Sequence, residues 1–203
     1  FSAQGEQDGE RFGAAVTTVG SRILVGSPSD DLNSDEPAAD FGSATLLEFN
    51  NAGEITSRAH LTSPEKERSE RFGAAISLTS THAFIGAPGN NGRNDVPVSA
   101  SGAVFALTLA APETARMITP SDPVIGGAFG GALSACGDLI AVGAEQATHS
   151  NDEPITAGGV YLFQRSGDAF SLQQKLVSPS PVGFGRFGWS VALTGRLLVI
   201  GAP

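Results

Sequence analysis

RFGAAVTTVGSRILVGSP, residues 11–28, decides how this chain is read, because it returns three times. The later copies are RFGAAISLTSTHAFIGAP (residues 71–88), AFGGALSACGDLIAVGAE (128–145) and RFGWSVALTGRLLVIGAP (186–203). Self-similarity at a period of tens of residues marks a repeat architecture, in which each copy is one supersecondary unit. Glycines supply the ruler. Those of the FG pairs, Gly13, Gly73, Gly130 and Gly188, are separated by 60, 57 and 58 residues. The glycine of each GSP or GA element (Gly26, Gly86, Gly143, Gly201) follows its FG partner by 13 residues, and a third marker at Gly42, Gly102 and Gly159 follows by a further 16. On this reading all length variation falls between the third marker and the next FG.

Each unit reads as short strands. Residues 14–19, 23–25 and 44–49 are rich in small, β-branched and apolar side chains and are bounded by Gly, Ser and Pro. A weaker fourth strand is expected at 55–61, with counterparts at 115–118 and 170–177. Each is followed by a turn signal that ends pairing: Ser63-Pro64, Thr119-Pro120 and Ser178-Pro179. Helical periodicity with caps is nowhere convincing. The fold class is therefore all-β, and four short strands per unit predict a β-propeller of four-stranded blades, although a β-helix or stacked sandwich carries similar local cues. Small residues at the start of the first strand, as in Gly13-Ala14-Ala15, Gly73-Ala74-Ala75 and Gly130-Gly131-Ala132, suit the crowded centre of a propeller; Trp189 departs from that pattern. Phe12, Phe72, Phe129 and Phe187 are expected as apolar wedges between neighbouring blades.

Phe-Gly and Gly-Ala-Pro alternating at fixed spacing resemble the FG-GAP repeat of integrin α-chain β-propellers, and especially the FG-GAP arrays of bacterial secreted and surface proteins. GGVYLFQRSGDAF followed by FGWSVALTGRLLVIGAP comes closest, and the resemblance covers nearly the whole chain. It implies four-stranded blades in a ring, typically about seven, forming an extracellular or cell-surface binding, adhesion or assembly platform rather than an enzyme. Integrin-type repeats that bind Ca²⁺ place an Asp-rich loop between the FG and GAP strands, where carboxylates supply hard oxygen ligands. The corresponding turns here, residues 19–22, 79–82, 136–138 and 194–196, hold one acid, Asp138. The integrin calcium site is accordingly not carried over.

Acidic residues gather instead between the second and third strands. SDDLNSDEPAAD (residues 29–40) contains Asp30, Asp31, Asp35 and Asp40, the candidate Ca²⁺ ligands of the chain. A D-x-P element recurs at Asp35-Pro37, Asp95-Pro97 and Asp152-Pro154. The competing reading is structural: Asp accepts backbone N–H bonds in a turn that Pro stiffens, and the remaining acids solvate the loop. The second copy, NNGRNDVP, keeps a single acid.

Other chemistry is sparse. GFGRFG (183–188) matches the dinucleotide fingerprint in form, but that motif needs a helix after it and a strand is expected here. His60, His82 and His149 fall at different positions of the repeat, and Cys136, the only cysteine, has no basic neighbour in sequence to activate it. No nucleophile elbow or zinc-protease motif is present. No catalytic residue and no cofactor-binding residue is assigned, and the chain is not expected to be an enzyme.

Charge bounds the partners. With 12 Lys and Arg against 21 Asp and Glu, the net charge of −9 repels nucleic acid and anionic membranes on average. No apolar run approaches the roughly 20 residues of a membrane span, so membrane insertion is not expected. The expected partner is a protein or glycan ligand bound through the blade loops. Two further readings stand beside it: a propeller that positions substrate for a catalytic domain elsewhere in a longer chain, and a carbohydrate-binding propeller. The latter would need aromatic platforms, and the chain has one Trp and one Tyr.

Blade boundaries follow from the ruler. Residues 1–10 resemble the tail of a preceding blade, 11–69, 70–126 and 127–184 are blades, and 185–203 hold the first two strands of another, about three and a half blades in all. That arithmetic predicts a window on a longer polypeptide. Its alternatives are two copies self-associating to complete one ring, or a compact four-blade ring.

Overall fold

A computed structural model describes residues 11–32, 39–92, 98–148 and 155–203. Among these residues the chain forms fourteen strands and no helix. The first unit is a four-stranded sheet of β1 (Ala15–Val19), β2 (Arg22–Ser27), β3 (Ser43–Phe49) and β4 (Ile55–Thr62), paired antiparallel in chain order. The second repeats it with β5 (Ala75–Leu78), β6 (His82–Ala87), β7 (Ala103–Thr108) and β8 (Ala111–Ile118). The third does so with β9 (Phe129–Cys136), β10 (Leu139–Ala144), β11 (Gly159–Ser166) and β12 (Ala169–Val177). A final two-stranded sheet pairs β13 (Ser190–Leu193) with β14 (Leu198–Gly201). The chain is thus all-β, and every strand expected from the sequence is present, with the 115–118 segment extended back to Ala111.

The 13-residue spacing has a simple cause. β1 and β2 form a tight hairpin, and the FG amide closes its open end: Gly13 N–H donates to the Gly26 carbonyl at 3.0 Å. The same bond joins Gly73 to Gly86 at 2.9 Å and Gly188 to Gly201 at 3.0 Å. At the closed end two chemistries alternate. Gly20 and Gly137 take left-handed φ of 57° and 60° in their two-residue turns. In the second and fourth hairpins, Thr79 and Thr194 accept from the amides of His82 and Leu197 through their hydroxyls, at 3.0 and 3.1 Å.

Neighbouring sheets meet at close quarters. Phe72 N–H donates to the Phe41 carbonyl of the preceding unit at 3.1 Å, and a parallel bridge joins Gly42 to Phe72. Equivalent bridges join Gly102 to Phe129 and Gly158 to Phe187. Across the same seams Gly26, Gly86 and Gly143 lie against the carbonyl oxygens of Gly73, Gly130 and Gly188, so closely that any Cβ would overlap those oxygens. The FG glycines add a second demand, with φ of 86°, 92°, 90° and 92°. Both glycines of the repeated phrase are therefore required by backbone geometry, one for conformation and one for approach.

One expectation needs correcting. In the third unit the seam glycine is Gly158, not Gly159: Gly42, Gly102 and Gly158 share left-handed φ of 80°, 89° and 86°. Their amides donate to the backbone carbonyls of Asp30, Asn90 and Ala147 at 2.9, 2.9 and 3.0 Å. The third marker therefore follows Gly143 by 15 residues, and the loop between second and third strands is one residue shorter than in the other units. Length variation is not confined to the rest of the repeat.

Two apolar cores fill the first two seams. The first joins Leu24, Leu46 and Leu61 to Phe72, Ile76, Ile85 and Phe105; the second joins Phe84, Val104 and Ile118 to Phe129, Ile140, Val142, Tyr161 and Phe163. Strand alternation makes this possible. Ala83, Ile85 and Ala87 of β6 face the first core and Phe84 faces the second, so the second sheet is covered on both faces. Of the four phenylalanines expected as wedges, Phe72 and Phe129 are fully buried, whereas Phe12 and Phe187, in the first and last units, are half-buried; Phe72 packs on Phe105 at a ring separation of 5.4 Å. Phe129 meets Tyr161 edge-on at 5.3 Å. The first strands are also stitched together: Ser77 Oγ accepts from Ala135 N–H at 3.0 Å, and Ser134 Oγ, one unit later, from Leu193 N–H at 2.9 Å.

Candidate functional site

The acidic loop of the first unit has a defined structure where it is described. Asp30 is buried, its Oδ1 accepts from Leu32 N–H at 2.7 Å, and its Oδ2 lies 3.7 Å from His60 Nε2. Asp31 Oδ1 accepts from Asp40 N–H at 2.8 Å. The second unit carries Asn90 and Asn91 at these positions and makes the same bonds: Asn90 Oδ1 accepts from Gly92 N–H at 2.8 Å, and Asn91 Oδ1 from Ala100 N–H at 3.1 Å. An amide oxygen serves as well as a carboxylate, so these bonds require an acceptor and not a charge. Asp35, Asp95 and Asp152, with their prolines, lie outside the described residues. Among the described residues no three His, Cys, Asp or Glu side chains are grouped as metal ligands would be.

Other singled-out residues are tied into local structure. Asp138 pairs with Arg165 of the adjoining strand. Strand β13 follows GFGRFG, without the helix that a dinucleotide site needs. Cys136 ends β9 as a free thiol, and His82 opens β6 rather than lying in the turn. His82 is buried, and burial followed by the Arg165 charge pulls its pKa below the usual imidazole value. Tyr161 donates to Asp122 Oδ1 at 2.7 Å, and Lys175 Nζ donates to Asp122 Oδ2 at 2.6 Å and to the Thr148 carbonyl at 2.8 Å. Burial, with that carboxylate alongside, pushes the phenol far above its ordinary range. This cluster fastens the connector that precedes the third sheet onto β11 and β12.

A concave surface lies elsewhere, among the FG turns and the loops after the GA elements. It is a groove of about 520 Å³ bordered by three successive units. Equivalent positions of the phrase recur around it: Arg71, Ala128 and Arg186; Ala74, Gly131 and Trp189; Pro88 and Glu145. The first set shares a left-handed backbone, with φ of 58°, 56° and 48°, which turns the chain into the first strand of each unit. Arg186 is held on both sides. Its Nε donates to Glu145 Oε2 at 2.8 Å, Nη2 lies 2.7 Å from the same oxygen, and the guanidinium stacks 3.7 Å from the centre of the Trp189 ring. Arg71, which borders the same groove from the second unit, is exposed and makes no ion pair among the described residues. Where other copies have Arg, Ala and Pro, the third unit has Ala128, Gly131 and Glu145; the fourth replaces a small residue by Trp189. Small side chains in the middle unit, flanked by two arginines, make the hollow.

The sequence reading missed Arg71, Arg186 and Glu145 as site residues. The signal available was the departure of the third and fourth copies from their own phrase. No family model matches the chain, and no curated protein is significantly similar to it.

Proposed function

We propose that the chain is a non-catalytic binding module of FG-GAP type, its sheets arranged as blades of a β-propeller, acting outside the cell or at its surface. Support for the radial arrangement comes from the first strands, which pack side by side from unit to unit through the Ser77 and Ser134 bonds. Burial adds to it: β6 is buried along its whole length, whereas β4 is largely exposed. The observation that carries the functional reading is the groove, where polar and aromatic side chains from three units converge on a concavity within the size range of ligand sites. Residues for acid-base or nucleophilic work do not gather there. The groove holds one carboxylate, already paired, and two guanidiniums, which are donors only.

Gly131→Trp tests this. The next unit carries Trp189 at the equivalent position, so the backbone has a precedent for the side chain, which would fill the groove. Ligands found on a peptide and glycan array should be lost by this variant while its melting temperature holds. Ligands that bind the variant as well as the parent chain would contradict the proposal.

A further inference from the structure

We infer that the groove receives a carboxylate of an acidic peptide segment, with Arg71 as the receiving cation and Arg186 as a fixed second wall. The inference rests on reading the chain as a binding module and adds the chemistry of its ligand. Four departures from the repeated phrase, Ala128, Gly131, Glu145 and Trp189, fall on one surface and together produce its shape and charge. Loss of Arg at position 128 separates the two remaining arginines, and glycine at 131 deepens the floor between them. Arg71 is then an exposed cationic residue bordering the concavity, with no ion pair to an acid among the described residues. Arg186 is already engaged on its own side of the groove by Glu145 and Trp189. It keeps N–H donors beyond those given to Glu145. Two cations against one paired carboxylate leave the groove locally positive in a chain of net charge −9. Such a chain repels acidic ligands elsewhere and directs them here. A planar guanidinium matches a carboxylate in two parallel bonds. A glycan fits less well: sugars need open aromatic faces, but Arg186 covers one face of the only Trp and the only Tyr is buried.

Trp189 is the only tryptophan and lines the groove, so its emission reports occupancy directly. Titration of the whole chain with the capped tripeptide Glu-Asp-Glu should give a saturable change, and capped Gln-Asn-Gln should bind roughly ten-fold more weakly or worse. Arg71→Gln should erase that preference and Arg71→Lys should keep part of it. Should Arg71→Gln fail to fold, the parent chain in about 1 M salt, where screening acts within about 3 Å, should lose the preference instead. Equal response to both peptides, or a preference indifferent to Arg71 and to salt, overturns the inference. Tighter binding of an oligomer of glucuronic acid than of the acidic peptide overturns the choice of a peptide. A ligand lost in Gly131→Trp yet unaffected by Arg71→Gln leaves the binding module standing and rejects only the acidic ligand.

Discussion

The second and third units share their seams and differ at their loops. Both bury a phenylalanine between sheets, Phe72 and Phe129, and both set a glycine, Gly86 and Gly143, against the next unit's backbone. At the loop end the second keeps Arg71, Ala74 and Pro88 where the third has Ala128, Gly131 and Glu145. The shared positions are those whose side chains or missing side chains the seam demands; the differing ones face the groove. At these positions repetition follows packing and departure follows the groove; Glu70, buried where the third unit has Gly127, is the exception.

Seam substitutions should have the largest effect and should treat the two units alike. Phe72→Ala and Phe129→Ala each remove a fully buried ring and should cost about 3–5 kcal/mol in urea unfolding. A loss below about 1 kcal/mol at either site would show that the units are not equivalent. Next come the close-approach glycines. Gly86→Ala and Gly143→Ala force a methyl group into the carbonyl of the following unit and should each cost about 1–3 kcal/mol or more by the same measurement.

A smaller effect should separate the units. Glu70 is buried between the first and second, its Oε1 accepting from Asn90 Nδ2 and its Oε2 from Glu67 N–H, both at 3.0 Å; the third unit has Gly127 at this position. Burial raises its pKa above 4.5, so the folded state holds the proton more tightly than the unfolded chain. The stability it contributes is full below the unfolded value and is lost as pH rises through the raised folded value. Melting temperatures of the parent chain and Glu70→Gln should therefore diverge in the parent's favour on going from pH 7 to pH 4. Divergence in the opposite direction would mean that the ionised carboxylate is the stabilising form. Smallest of all should be Asp30→Asn with Asp31→Asn, which gives the first loop the acceptors of the second. A shift within about 0.5 kcal/mol is expected, with no difference between buffers with and without Ca²⁺. A Ca²⁺-dependent melting temperature in the parent chain that disappears in this variant would restore the cation reading of that loop.

Much of this architecture is legible in the chain because backbone geometry dictates it. Gly13 and Gly26 are fixed by one hairpin bond and one close approach, so their spacing survives in every copy and gives away the strands between. Gly158 and Gly159 show where such reading slips: two adjacent glycines look alike in sequence, and only φ and the seam bridge select the first. The first acidic loop was ambiguous for a different reason, since Asp serves equally as turn acceptor and cation ligand. Asn90 and Asn91 accept the same two backbone bonds without a charge, so those bonds by themselves do not call for a cation. The groove lay beyond reach because its residues are 118 positions apart, from Arg71 to Trp189, and meet only when three units pack together. Trp189 alone was visible as an irregularity.

The central claim is that the departures in the third unit serve the groove and not the fold. The melting temperature of Ala128→Arg/Gly131→Ala/Glu145→Pro, which restores the repeated phrase, tests it most directly. Each new residue occupies the same position in another unit, and the ion pair that is lost is partly exposed, with 42% and 18% side-chain exposure, and contributes little. The account predicts a melting temperature at or above that of the parent chain. A fall of more than about 4 °C, on the order of 1 kcal/mol or more, would contradict it by showing that Ala128, Gly131 and Glu145 hold the fold together.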